Sequence, residues 1–122
     1  VVVDIPGVEG LDSVRKVVFS SGSGQFLDMG KKYSVLYFFK ANGKYASGRT
    51  ETRKILGTNF FNKYSYFSKV EWKFFGSGYG RTMTYPDEDE LISASEKLLS
   101  YLVPALEGYH WPDWEDDEGS QQ

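Results

Sequence analysis

The chain has 122 residues, a formal net charge of −3, no cysteine, and hydrophobic, charged and aromatic fractions of 40%, 25% and 17%. These values predict one folded domain and not a disordered chain, and the lack of cysteine excludes disulfides, thiolate metal sites and cysteine nucleophiles. A transmembrane helix is excluded as well, because no apolar run approaches the roughly 18–20 residues that a membrane span requires.

The first residues form an irregular segment in front of the first predicted strand. Residues 1–13 are predicted to be an extended arm that is broken at Pro6-Gly7, and Val14–Phe19 is predicted to be a strand. Because the chain begins with Val1 and not with Met, we expect that a leader has been removed or that the sequence is partial. An intracellular or organellar location fits this expectation and the absence of cysteine.

The clearest strand signal covers Lys32–Ala41, which is rich in β-branched and aromatic residues. The dipeptide Asn42-Gly43 follows directly, and it tolerates the two positive φ angles of a type I′ turn. We therefore predict a hairpin whose second strand covers Lys44–Leu56. Gly48, near the middle of that second strand, indicates a bulge or bend.

Residues 62–75 alternate with a period of two, which is typical of a half-buried antiparallel strand. The apolar face carries Tyr64, Tyr66, Val70, Trp72 and Phe74, together with Ser68. The opposite face carries Lys63, Ser65, Phe67, Lys69, Glu71 and Lys73. A glycine-rich turn at residues 76–78 then leads into a further predicted strand over residues 79–85.

The pattern changes to helical spacing at Pro86. A helix is predicted from Pro86 to Val103, with Pro104 stopping it and Gly108 capping its end. The four acids of residues 87–90 lie at the positive end of the helix dipole, which explains them without a metal site. Residues 109–122 have no periodicity and are predicted to form an acidic C-terminal tail.

Together these elements predict an α+β fold, with an antiparallel meander sheet of five or six strands and one C-terminal helix packed on one face. The domain is expected to cover residues 1–108, with the arm of residues 1–13 at its start and the tail of residues 109–122 after it. The second face of the sheet is then left for water or for a partner.

The charges are segregated along the chain. Residues 31–81 carry eleven of the fourteen Lys and Arg with two acids, whereas residues 82–122 carry eleven acids with one base. Fifteen aromatic residues lie between positions 33 and 85. Cations and exposed rings on one sheet face are typical of a platform for single-stranded nucleic acid, where cations follow the phosphates and rings stack on bases.

The first hypothesis is therefore a small non-enzymatic domain that binds single-stranded nucleic acid without reading its sequence. The residues assigned to nucleic-acid binding are Lys63, Lys69, Lys73, Arg49, Arg53 and Phe67, with Tyr45 as a second stacking ring. In this hypothesis Arg49 and Arg53 share one face of the second hairpin strand, with Glu51 between them. The acidic tail competes with nucleic acid for the basic surface.

The alternative hypothesis is a protein-interaction or structural subunit of a larger complex, or an inhibitor or immunity-type protein. Trp and Tyr are enriched at interface hot spots, so this hypothesis assigns partner binding to Trp111, Trp114 and Tyr109, with the tail acids steering association. A carbohydrate platform is a third possibility, although no residue spacing favours it.

The sequence assigns no catalytic residue, cofactor or metal site. The one histidine is His110, in the predicted tail, and nucleophile-elbow, HExxH and Walker A motifs are missing. The glycines of residues 76–80 lead into a predicted strand, whereas a phosphate loop requires a following helix. An enzyme stays open through Glu51 or Glu71, neither of which has a visible catalytic partner, so a binding role is favoured.

Overall fold

The computed structural model describes residues 1–20, 32–59, 64–74 and 86–114. These residues form the predicted α+β fold, a five-stranded antiparallel sheet with a C-terminal helix. The strands are β1 (Val2–Asp4), β2 (Ser13–Ser20), β3 (Lys32–Ala41), β4 (Lys44–Ala46) and β5 (Phe67–Trp72). The helices are α1 (Arg49–Gly57) and α2 (Glu88–Ala105), followed by a π-helical turn, Leu106–His110. The predicted strand over residues 79–85 lies outside the described residues.

Strand β3 is the centre of the sheet, and its pairing sets the arrangement of the others. Along one edge β3 pairs with β2 over residues 32–37 and then with the short β4 over residues 39–41. Along the other edge it pairs with β5 over residues 36–41, and β1 lies outside β2. Every pair is antiparallel, so the alternating side chains of β3 define two faces of the sheet.

A tight turn joins β3 to β4 at the predicted position. Asn42 has a φ of 45° and Gly43 a φ of 80°, and a type I′ turn requires positive φ at both positions. The Asn42 side chain also accepts a hydrogen bond from the Tyr66 N–H at 2.9 Å. Because Tyr66 directly precedes β5, the turn fixes the start of β5, at Phe67, beside the end of β3.

Helix α2 covers one face of the sheet with a single stripe of side chains. The buried members of this stripe are Leu91, Ser95, Leu99 and Val103. Because they recur every four residues, they share one side of the helix, and the three apolar ones pack with Val14, Leu36 and Phe38 of the sheet. Asp87 caps the helix by accepting a hydrogen bond from the Glu90 N–H at 2.8 Å.

The end of α2 differs in detail from the expectation. The helix includes Pro104 and ends at Ala105, and the chain then widens into the π-helical turn instead of stopping at Gly108. The Trp111 N–H closes this turn on the Leu106 carbonyl oxygen at 2.8 Å. The wider turn keeps the chain against the sheet, so the residues that follow α2 pack on the sheet.

The predicted second hairpin strand, Lys44–Leu56, is wrong beyond Ala46. Strand β4 ends there, Gly48 is the N-cap of α1, and residues 49–57 are helical. Glu51, at the third helical position, accepts a hydrogen bond from the Ser47 N–H at 3.0 Å and puts a negative charge in the first turn, where the helix dipole favours it. Arg, Glu, Lys and Leu are also strong helix formers, so local helix propensity and the first-turn acid outweigh the hairpin signal.

Residues 1–13 contribute to the edge of the sheet and to the core. Strand β1 pairs with β2, and Ile5, Val8 and Leu11 are buried in the cluster that α2 covers. The Ile5 N–H donates to the Asp12 carbonyl oxygen at 3.0 Å, which closes the turn between β1 and β2. The segment expected as an arm is thus packed against the rest of the domain.

Candidate nucleic-acid interface

The two faces of the sheet are covered to different extents. Helix α2 packs on the face that carries Leu36 and Phe38, both fully buried. The opposite face carries Tyr33 and Tyr37, which are half-buried, and Phe39, which is buried where α1 packs on β3. Among the described residues, three grooves lie along this second face.

The first groove, of about 460 Å³, runs between α1 and β5. Four predicted nucleic-acid-binding residues line it: Arg49 and Arg53 from α1, and Phe67 and Lys69 from β5. Phe67 is 61% exposed, and no carboxylate in the described part of the chain forms an ion pair with either arginine. Cations and an accessible ring therefore converge on one groove. Lys63, predicted to join them, lies outside the described residues.

The second groove, of about 590 Å³, continues along the same face between β2, β3 and β5. Its lining includes Lys69, Lys73, Phe19, Tyr33 and Tyr37. The Lys69 ammonium lies 4.4 Å from the centroid of the Tyr37 ring. The Lys73 ammonium lies 5.4 Å from the centroid of the Tyr33 ring. Because Lys69 lines both grooves, they form one continuous surface, and each has a volume within the range of about 300–1,000 Å³ found for ligand sites.

The third groove, beside the start of α1, adds Arg15 and Lys54 to this surface. We call the residues that line the three grooves the basic-aromatic face. Six cations line it against two acids, Glu51 and Glu71. The cations are Arg15, Arg49, Arg53, Lys54, Lys69 and Lys73, and the rings include Phe19, Tyr33, Tyr37 and Phe67. The face therefore carries a local excess of positive charge on a chain whose net charge is negative.

Arg49 and Arg53 share a face for a different reason from the predicted one. A strand would have put Glu51 between them on the same side. In α1 the two arginines are four residues apart and lie one turn above each other. Glu51 instead turns back to the Ser47 N–H. The helix thus removes the acid from between the two cations.

Tyr45, predicted as a second stacking ring, lies away from the basic-aromatic face. It pairs with Lys40 across β3 and β4, so its side chain points to the α2 face, where its ring contacts Phe38. The Tyr45 hydroxyl donates a hydrogen bond to Glu107. Burial raises the pKa of Tyr45, and the hydrogen bond to the Glu107 carboxylate raises it further.

The predicted partner-binding residues are also divided by the structure. The Trp111 indole N–H donates to the Ser68 hydroxyl at 2.7 Å, and the Trp114 ring lies 5.8 Å from the Tyr66 ring. Both tryptophans therefore pack on their own domain, against the expectation that they are exposed anchors. Tyr109, by contrast, is 86% exposed.

The α2 side of the domain pairs the cations that reach it. Lys16 lies 2.7 Å from Glu88, and Lys40, which is 8% exposed, lies 3.2 Å from Glu107. The hydrogen bond from Tyr45 lowers the pKa of Glu107, burial opposes this effect, and the Lys40 ammonium lowers the pKa further. The two strand lysines of the α2 side are thus paired with carboxylates, whereas Arg49 and Arg53 of α1 form no ion pair with a carboxylate among the described residues.

Sequence reasoning did not single out Arg15, Tyr37 and Lys54 as part of the site. Period-two alternation does put Tyr37 on the same face of β3 as Tyr33, but this pattern does not tell which face α2 covers. Lys54 joins the surface only because residues 49–57 are helical. The signal that could have found it was the run of strong helix formers after Gly48, with the acid Glu51 in the first turn.

Compared with protein-family models, curated proteins and solved structures, the chain matches none. Within the described ranges, no group of three or more His, Cys, Asp or Glu side chains is placed to hold a metal ion. No helix there combines the length and the hydropathy that crossing a bilayer requires.

Proposed function

We propose that this protein binds single-stranded nucleic acid on the basic-aromatic face. The observation that supports this most is the first groove, in which Arg49, Arg53 and Lys69 surround the exposed ring of Phe67. Cations of this kind attract phosphates, and an exposed ring stacks on a base with about 1–3 kcal/mol of favourable free energy. Arg49 and Arg53 form no ion pair with a carboxylate in the described part of the chain, so both are available to phosphates.

The ligand is a single strand and not a duplex, because stacking on a protein ring requires a base that is free of its own stack. Phe67 lies opposite Ala41 of β3, and Tyr33 lies eight residues before Ala41 on the same strand. Eight residues span about 26 Å along a strand. At about 3.4 Å per stacked nucleotide, the face accommodates about eight nucleotides, and fewer if the strand is extended.

The acidic tail is the proposed competitor for this face. Four of its five acids, Glu115, Asp116, Asp117 and Glu118, lie outside the described residues. Trp114, which directly precedes them, contacts Tyr66, and Tyr66 is the chain neighbour of Phe67. The acids therefore follow a residue that packs beside the start of β5, the strand that supplies Phe67 and Lys69 to the first groove.

The test is fluorescence anisotropy with a labelled nine-nucleotide oligothymidine at about 50 and 200 mM salt. The triple variant Arg49→Ala/Arg53→Ala/Lys69→Ala is expected to bind about 10- to 100-fold more weakly and to flatten the salt slope by about 2, because each lost phosphate contact contributes about 0.7 to that slope. Removal of residues 115–122 is expected to strengthen binding several-fold at low salt. This truncation keeps Trp111 and Trp114, which pack on the domain.

Lys97→Ala is the control, because it removes an exposed cation from α2, on the other side of the sheet. It is expected to leave the affinity within about twofold of wild type. An affinity that is unchanged in the triple variant, with the fold intact by circular dichroism, would contradict the proposal.

Binding of a protein partner is the second candidate function. It is supported by Tyr101 and Tyr109, which are 77% and 86% exposed and belong to α2 and to the turn that follows it. Exposed tyrosines are frequent anchors at protein interfaces. Wild-type protein that fails to bind the oligonucleotide would favour this candidate over the first.

A further inference from the structure

The two acids of the basic-aromatic face have different roles within the protein. Glu51 is used by its own helix, because it accepts the Ser47 N–H at 3.0 Å. Glu71 caps no helix and pairs with no main-chain group among the described residues. Its carboxylate is 51% exposed and contacts the Lys69 ammonium at 2.7 Å. An acid in the middle of a surface that favours anions weakens the binding of phosphate. We therefore asked which other part of a ligand the Glu71 carboxylate could bind.

The Lys69 ammonium lies between Glu71 and an aromatic ring. It is 2.7 Å from the Glu71 carboxylate and 4.4 Å from the centroid of the Tyr37 ring, and the register of β3 and β5 sets Tyr37 directly opposite Glu71. An N–H donor group is thus held over a ring while it donates to a carboxylate. Exposed ion pairs and exposed cation–π contacts are weak, so a ligand can displace this ammonium.

We propose that a guanine base takes the place of the Lys69 ammonium in the complex, so that Tyr37 and Glu71 form a base-reading site. This inference rests on the proposed function and departs from the sequence-independent binding expected from the sequence. The base stacks on the Tyr37 ring, and its N1–H and N2–H groups donate two parallel hydrogen bonds to the Glu71 carboxylate. Lys69, once released, is available to a phosphate of the same strand.

Guanine fits this site better than the other bases because a carboxylate only accepts hydrogen bonds. The Watson–Crick edge of guanine presents two neighbouring donors. Adenine and cytosine present one amino donor beside a ring nitrogen that accepts, and thymine or uracil presents one N–H between two carbonyl oxygens. Each acceptor that faces Glu71 is repelled, so the affinity is expected to fall from guanine to adenine and cytosine and then to thymine.

The test compares three labelled nine-nucleotide strands by anisotropy: oligothymidine, the same strand with one central guanine, and the same strand with one central hypoxanthine. Hypoxanthine lacks the 2-amino group of guanine. Wild type is expected to bind the guanine strand about tenfold more tightly than oligothymidine, with the hypoxanthine strand between them. A single guanine also avoids self-association of the probe.

The decisive variant is Glu71→Gln, which should change two affinities in opposite directions. The preference for guanine is expected to fall below about twofold, whereas binding of oligothymidine is expected to strengthen about twofold because a negative charge has left the face. Misfolding would weaken both. Glu9→Gln is the matched control, since Glu9 is exposed in the turn between β1 and β2, and it should leave the preference for guanine unchanged.

Each other outcome overturns a definite part of the proposal. Equal binding of the three strands by wild type overturns the base-reading site and leaves the proposed function standing. A guanine preference that survives in Glu71→Gln overturns the role of Glu71. No binding of any strand overturns the proposed function itself, and the base-reading site with it.

Discussion

Both faces of the sheet carry cations and aromatic side chains, but the two faces differ in how far these groups are buried and paired within the chain. On the α2 face, lysines meet carboxylates and indole N–H groups meet serine hydroxyls; the pairs are Lys16–Glu88, Lys40–Glu107, Trp72–Ser95 and Trp111–Ser68. On the basic-aromatic face, Arg49 and Arg53 pair with no carboxylate among the described residues, and the Phe67 ring is exposed.

This difference separates structural groups from candidate binding groups. Largely buried cations and rings that have partners within the chain are part of the packing, because buried polar groups are costly unless they are paired. Exposed cations beside an exposed ring add little to folding and are available to a ligand. The comparison therefore predicts that matched substitutions on the two faces affect different properties: stability on the α2 face and binding on the basic-aromatic face.

The largest expected effect comes from the phenylalanines of the two faces. Phe38→Ala is expected to lower the free energy of unfolding by about 3–5 kcal/mol, because Phe38 is fully buried under α2 and its removal leaves a cavity. Phe67→Ala is expected to lower it by less than about 0.5 kcal/mol while weakening oligonucleotide binding by about 1–3 kcal/mol. Urea denaturation and anisotropy measure the two quantities.

Equal losses of stability in these two variants would break the comparison. Such a result would mean that the Phe67 side chain is packed against the protein in solution, in spite of its exposure in the structure. A stable Phe67→Ala protein with wild-type oligonucleotide affinity would remove the ring from the binding face, although the cations of the face would be unaffected.

A smaller effect is expected from the lysines of the two faces. Lys40→Met removes an ammonium that lies 3.2 Å from Glu107 and 3.7 Å from the centroid of the Tyr45 ring. The substitution is expected to lower the free energy of unfolding by about 1–2 kcal/mol. The cost stays this small because the Glu107 carboxylate is half exposed and remains solvated. Lys69→Met breaks an exposed pair and is expected to cost less than about 0.5 kcal/mol. Thermal or urea unfolding at neutral pH measures the loss of stability in both variants. A loss in Lys69→Met as large as that in Lys40→Met would contradict the assignment of the two faces.

Much of the fold was predictable from local patterns. The alternation around β5 gives its two faces correctly, the Asn42-Gly43 pair gives the turn, and helical spacing after Pro86 gives α2. Each of these signals depends on residues within one turn or one strand, where the period of side chains reflects the backbone directly. Helix α1 is not predicted by the sequence, because the hairpin signal at Asn42-Gly43 leads to a second strand that the prediction continues past Gly48.

The site was less predictable, because it depends on which face of β3 is covered. The face with Tyr33, Tyr37 and Phe39 is as apolar as the face with Leu36 and Phe38, yet α2 packs on the second. That choice is made by long-range packing, and the same choice takes Tyr45 away from the basic surface. Sequence periodicity defines faces and does not say what covers them.

The smallest expected effect is the pH dependence of the carboxylate on the α2 face. The Tyr45 hydrogen bond, aided by Lys40, lowers the pKa of Glu107 in the folded protein. A carboxyl whose folded pKa is lowered adds stability above its unfolded pKa of about 4.3, and this stability is lost as the pH falls through the folded pKa. The gain is on the order of a few tenths of a kcal/mol, because the carboxylate is half exposed and screened.

Glu107→Gln tests this directly, since the amide keeps the shape of the side chain and cannot ionise. Wild type is expected to be more stable than the variant at neutral pH, and the difference is expected to close as the pH is lowered below about 4. Urea denaturation across this range measures it. Glu71→Gln, whose ion pair is exposed, serves as the comparison from the other face and should change stability little at any pH. A difference between wild type and Glu107→Gln that stays constant down to about pH 3 would show that the charge of Glu107 does not stabilise the α2 face, so that shape alone holds the turn after α2 to the sheet.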